Sequence, residues 1–87
     1  MNGLDRTRIA LGGHGAIAKV ARGCDVSQQA ARKWFAEGVL PSTEVTYRAG
    51  KRLTEYGKVI EALTEGAVTD AELQDENLAL LEKKPAA

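Results

Sequence analysis

The sequence predicts a small all-α domain of about five helices, and three observations carry that prediction. Apolar residues recur every three to four positions over most of the chain. Gly12-Gly13, Gly23, Gly38, Pro41, Gly50, Gly57 and Gly66 cut the chain into helix-sized pieces. Ser27, Ser42-Thr43 and Thr69 stand where helices would start, as side chains able to accept a hydrogen bond from the first-turn amides. At 87 residues the chain reads as one domain, 1–87, with a core thin enough for burial against a partner to add stability.

Taken in order, helix one is expected from Asp5 to Leu11, closed by Gly12-Gly13. Helix two spans roughly Gly15 to Cys24. Its Ile17, Val20, Ala21 and Cys24 fall at i, i+3, i+4 and i+7, which makes one buried stripe. After the short turn Asp25-Val26, Ser27 caps helix three, whose inner face is Ala30, Ala31, Trp34 and Phe35. Gly38 closes that helix and Pro41 forbids its continuation. From Ser42 onward, Val45, Ala49, Leu53, Tyr56, Val59-Ile60 and Leu63 read as one long amphipathic helix, or two jointed at Gly57. A β-hairpin over 45–54 is the alternative, with Ala49-Gly50 as its turn. Thr69-x-x-Glu72 has the form of a capping box. It opens a last helix over 69–84 with Leu73, Leu78, Leu80 and Leu81, and Lys83-Lys84 suits its C-terminal dipole. Pro85-Ala86-Ala87 is expected to fray.

The formal net charge is zero, but it is unevenly distributed. Residues 1–58 carry ten Lys/Arg against five Asp/Glu, whereas 59–87 carry two against seven. A basic front with an acidic rear suits a polyanionic partner, because only the contact face has to be positive. A single cysteine excludes an internal disulfide and fits a reducing cytoplasm. The apolar stretches are far shorter than the ~20 residues that span a bilayer, and Met1-Asn2-Gly3-Leu4-Asp5 lacks the features of a signal peptide.

The segment Val20–Trp34 meets the demands of a helix-turn-helix. Small Ala21 sits where two helices would cross, Asp25 takes the tight turn where Gly is usual, and Val26 plugs the angle. Ile17-Ala18 is the alternative placement for the apolar-Ala pair, at the expense of a longer turn. Ser27, Gln28, Gln29, Arg32 and Lys33 face outward, and no acid occurs from Val26 to Ala36. Gln suits the edge of adenine, and Arg or Lys that of guanine.

On these residues the chain resembles the Cro-like and YdaS-like phage regulators. Their pattern is met by Gly12-Gly13, Val20-Ala21, Val26-Ser27-Gln28-Gln29-Ala30, Trp34, Gly38 and Pro41. A second block, Ile60–Thr69 with Glu72-Leu73, is similar to that family's tail and to the segment after the motif in CII-type phage activators; the likeness covers about residues 8–73. Asp25 in place of Gly, and a longer stretch between Pro41 and Ile60, depart from the pattern. The resemblance implies a lambda-repressor-like helix-turn-helix domain that binds double-stranded DNA as a homodimer or tetramer in the bacterial host cytoplasm, at the nucleoid. It places Ser27, Gln28, Gln29 and Arg32 at the base edges of the major groove and Lys19, Arg22 and Lys33 on phosphates. Arg48, Lys51 and Arg52 would add backbone contacts, or else form an ordinary solvated face. The implied activity is repression at a near-palindromic operator, with CII-type activation as an alternative. A further alternative is a protein-interaction module, such as an anti-repressor, that does not bind DNA.

The remaining residues point to nothing else. Gly12-Gly13-His14-Gly15 lacks the Lys-Ser/Thr ending and the preceding strand of a phosphate loop, and His14 reads as a loop residue or a phosphate contact. One His and one Cys make a metal site improbable, and Cys24 reads as a small core residue. Trp34 and Phe35 read as core or dimer contacts rather than base stackers. No nucleophile–base–acid set is present, so no enzyme activity, cofactor or small-molecule substrate is expected. The Leu73–Leu81 stripe either packs internally or is an oligomer contact.

Overall fold

The computed structural model describes residues 2–83, and side chains through residue 80. Among these residues it is a small, mostly helical domain of five α-helices with one two-stranded hairpin. The helices are α1 (Gly3–Ala10), α2 (Ala16–Cys24), α3 (Gln28–Glu37), α4 (Tyr56–Leu63) and α5 (Asp70–Lys83). Among the described residues none is long and apolar enough to cross a membrane. The expectations for the Leu81 side chain, Lys83-Lys84 and Pro85–Ala87 fall outside what is described.

α1 begins two residues earlier than its apolar spacing suggests. Asn2 Oδ1 accepts from the Asp5 amide at 2.8 Å while Asp5 Oδ2 accepts from the Asn2 amide at 3.4 Å, a reciprocal capping box. α2 ends as its sequence allows. Asp25 takes the left-handed conformation (φ 56°, ψ 46°). The Val26 amide then reaches back to Ala21 O and the Asp25 amide to Arg22 O, at 3.0 and 3.3 Å. These two bonds satisfy carbonyls that the last turn would otherwise leave bare. Ser27 Oγ accepts from the Ala30 amide at 3.1 Å and starts α3, and Gly38 at φ 81° ends it.

α2 and α3 pack face to face. α4 lies on α2, and α5 closes the far side against α1 and α4. Leu4, Val20, Ala21, Cys24, Ala31, Trp34, Phe35, Leu40, Ile60, Val68 and Leu73 form one core. In α2 the buried side chains are Ala16, Val20, Ala21 and Cys24, with Ile17 at the margin of the stripe. The Trp34 ring stacks on Tyr56 with centroids 4.8 Å apart, joining α3 to the first turn of α4. In α5, Leu73 and Asn77 turn inward, and Asn77 Nδ2 donates to Leu40 O and Pro41 O. Leu78 and Leu80 do not join the core, being 46% and 36% exposed.

The long helix expected from Ser42 is not what the chain forms; the hairpin alternative is. Ser42–Val45 makes one 3-10 turn, Tyr47–Arg48 (β1) and Lys51–Arg52 (β2) pair antiparallel, and only from Tyr56 is the chain α-helical. Ala49-Gly50 reverses the strands with φ of 54° and 78°, the two positive angles of a type I′ turn. The apolar spacing misleads here because Ala49 and Leu53 are exposed and belong to no buried stripe. Val45, Thr46 and Tyr47 are poor helix formers, and Gly50 would cost about 1 kcal/mol inside a helix.

A buried polar cluster supplies the remaining physical reason for the hairpin. Glu44 is 1% exposed, and its carboxylate accepts from the amides of Tyr56 and Gly57, each at 2.8 Å, and from the Thr54 hydroxyl. It thereby caps α4 from twelve residues upstream, at the end where a negative charge is favoured. Arg52 enters the same corner. It donates to both Asp70 carboxylate oxygens at 2.9 and 3.1 Å and lies 3.7 Å from Glu44. These links demand a chain reversal between residues 44 and 52, which a continuous helix does not provide.

Candidate nucleic-acid interface

Of the two faces of α3, one is spent in the core and the other is open. Ala31, Trp34 and Phe35 are buried, while Gln28, Gln29, Arg32, Lys33 and Ala36 are exposed along the opposite side. Ser27, also exposed, precedes them as the N-cap, with its hydroxyl oxygen committed to the Ala30 amide. The structure thus brings Ser27, Gln28, Gln29, Arg32 and Lys33 together on one helical surface. Asp25 and Glu37 are the nearest exposed acids in the chain, one before the N-cap and one at the last residue of the helix. The face can offer amide donors and acceptors together with two cations, and it carries no large apolar side chain.

Lys19 and Arg22 are exposed on α2. Lys19 Nζ donates to Leu11 O at 3.2 Å, across the glycine loop that separates α1 from α2. His14 sits exposed in that loop. Cys24 lies on the buried side of α2, and its thiol is pushed up to about 11, chiefly by burial and further by the Glu44 carboxylate.

Arg48 and Lys51 stand exposed next to the hairpin turn, apart from Arg52. The expectation that Arg52 contacts the DNA backbone is corrected: its side chain is 6% exposed and spends its donors on Asp70 and on Thr54 O at 2.7 Å. Hydrogen bonding to Asp70 raises its pKa further and holds it charged.

The ion pairs sort the cations. Among the described residues the paired ones are Arg6 with Glu72, Arg52 with Asp70 and Glu44, and Lys58 with Glu55. Lys19, Arg22, Arg32, Lys33, Arg48 and Lys51 are in none of these pairs, so their charge is not neutralised within the described part of the chain. Arg8 lies over the Phe35 ring, 5.3 Å from its centroid.

Sequence reasoning missed Glu44 and Asp70, which fix the hairpin and hold no exposed chemistry of their own. Neither carries a local signal, because their partners lie eight to eighteen positions away. The chain matches no family model, and comparisons with curated proteins and with solved structures find no match.

Proposed function

We propose that the chain is a sequence-specific DNA-binding transcriptional regulator, a Cro-like or YdaS-like repressor of a phage or prophage, in which α2 and α3 act as a helix-turn-helix. The observation that carries this reading is the open face of α3: Gln28, Gln29, Arg32 and Lys33 side by side, free of acid and of apolar anchors. A protein-docking face would carry buried-surface anchors such as aromatic or Leu side chains. This one carries the groups that pair with adenine and guanine edges. The left-handed Asp25 and the Ser27 cap give the pair a short, well-determined connection, which suits a helix that must be presented at a fixed angle.

In this reading Gln28 and Gln29, at the N-terminal end of α3, meet base edges first, with Ser27 and Arg32 beside them. Lys19, Arg22 and Lys33 hold phosphates, which sets register and affinity without sequence preference. A homodimer would place two such helices about 34 Å apart, one turn of DNA, on a near-palindromic operator. Of the Leu73–Leu81 stripe, Leu73 is taken up by the core, and the exposed Leu78 and Leu80 are the side chains we assign to the protomer contact.

Sequencing the DNA that the protein retains from a randomised duplex library tests this directly. A recurrent motif is expected, and Gln28→Ala or Gln29→Ala should weaken binding to it by ~1–3 kcal/mol while sparing random duplex. Equal losses on both would overturn the base-reading role.

A further inference from the structure

We propose that the Tyr47–Arg52 hairpin is a second DNA-contacting element, one that sets Arg48 and Lys51 into the minor groove beside the major groove faced by α3. This rests on the reading that α3 faces duplex DNA.

Four features of the hairpin are unfavourable for the isolated protein. Arg48 and Lys51 are directly opposed in the strand register, so both side chains leave the same face, with their Cβ atoms about 5 Å apart. Like charges so placed repel, and neither takes part in an ion pair among the described residues. Ala49 holds φ at 54°, a region that disfavours any side chain with a Cβ. Every residue from Tyr47 to Lys51 is exposed, so the loop contributes nothing to the core. Two-residue strands do not hold themselves together.

Yet the loop is fixed at its foot by buried charge. Arg52 is tied there to both Asp70 and Glu44, and Thr54 binds Glu44 through its hydroxyl and shares a hydrogen bond with Thr43 at 2.9 Å. Taking such groups out of water is costly. The fold thus anchors at its foot a cationic loop whose own charges oppose its formation. A polyanion seated on that face removes the repulsion.

Shape chooses the groove. The tip, Ala49-Gly50, carries nothing larger than a methyl group, so its backbone can approach closely while Arg48 and Lys51 reach inward on either side. A minor groove about 6 Å wide admits such side chains, and its negative potential deepens where A·T pairs narrow it. Arg52 lies four residues before Tyr56, whose ring stacks on Trp34 of α3, so the foot of the hairpin joins the same core that α3 packs on.

The test uses the full chain and duplexes of about 30 bp that carry the library-enriched sequence at the centre. The flanks are made of A·T, inosine·C or G·C pairs. Inosine·C shares its major-groove pattern with G·C but lacks the minor-groove amine. The wild-type protein is expected to bind A·T and inosine·C flanks alike, and about five- to tenfold tighter than G·C flanks. In Arg48→Ala/Lys51→Ala that difference should collapse, and the salt dependence should fall by up to about two charges. Circular dichroism and a thermal melt check that this surface variant is folded.

Wild-type binding indifferent to the flanks, inosine·C behaving as G·C, or a double variant that keeps the preference would each overturn the proposal. Gln28→Ala/Gln29→Ala should lose the central motif and keep the flank preference, so failure of the α3 reading shows separately. If the library yields no motif, the same flanks around an arbitrary centre still judge the hairpin.

Discussion

The Arg52 guanidinium grips both oxygens of the Asp70 carboxylate and ties the foot of the hairpin to the first turn of the last helix. Geometry of this kind, two parallel N–H···O bonds to one carboxylate, is the strongest form an ion pair takes. With the Arg52 side chain only 6% exposed, removing it would leave Asp70 and Glu44 as uncompensated charges in a largely dry corner. Arg52→Ala is therefore expected to destabilise the fold by about 3–5 kcal/mol, read from urea unfolding. Arg48→Ala, four residues earlier and exposed, should stay within about 0.5 kcal/mol of wild type. Similar midpoints for the two variants would show that the buried pair does not hold the fold.

Gly57 sits against the same pair. A Cβ built there would stand 2.2 Å from Asp70 Oδ1 and 3.4 Å from its Cα, so Asp70 cannot stay where Arg52 binds it. In an ordinary helix, Gly→Ala gains about 1 kcal/mol. Here Gly57→Ala is expected to lose about 1–3 kcal/mol instead, from forced displacement in a packed site. The loss should shrink in an Arg52→Ala background, because the displaced pair is already broken. A chemical denaturation series on the four proteins measures this coupling. A stabilised Gly57→Ala would show that Asp70 moves away freely.

These two residues also mark where the sequence stops being legible. The helix boundaries at Asp25, Ser27, Gly38 and Thr69 follow from rules that act within four residues: a left-handed stop, a side-chain cap, a glycine end. The Asn2-x-x-Asp5 box is of the same kind and equally local, although the apolar spacing by itself starts the helix at Asp5. The hairpin is different. Ala49 and Leu53 imitate a helical stripe, and what overrides them is the convergence of Glu44, Arg52 and Asp70. Nothing local distinguishes Arg52 from Arg48 or Lys51. Its partner is eighteen positions away, and only the fold shows that this one cation is withdrawn from the surface.

Cys24 offers a pH test of the core. The folded thiol is pushed up to about 11, mainly by burial, above its ordinary value of 9.0. The unfolded chain therefore releases this proton first as pH rises. The contribution is fully present below about pH 9 and is lost between there and about pH 11. At pH 10 the loss should approach about 1 kcal/mol relative to pH 8. Cys24→Ala removes this component, whatever the background titration of Lys and Tyr. Paired urea midpoints at the two pH values measure it. A wild type and a variant that lose stability in parallel would show that the buried thiol does not couple to folding.

Asp25 holds a left-handed backbone at the end of α2. It closes α2 at φ 56° and ψ 46°, and both bonds of the closure are made by backbone amides, those of Val26 and Asp25 itself. Glycine would make the same two bonds without placing a Cβ against the following carbonyl, a clash worth roughly 1–2 kcal/mol. Against this, glycine gives the unfolded chain more freedom, at about 0.4–1 kcal/mol. The difference leaves Asp25→Gly more stable by about 0.5–1 kcal/mol, a rise of several degrees in Tm for a domain of this size. The substitution also removes an acid three residues before α3, so on the proposed DNA-binding reading affinity for random duplex DNA should increase at low salt. A lower Tm would mean that the Asp25 carboxylate contributes more to the turn than its backbone strain takes away.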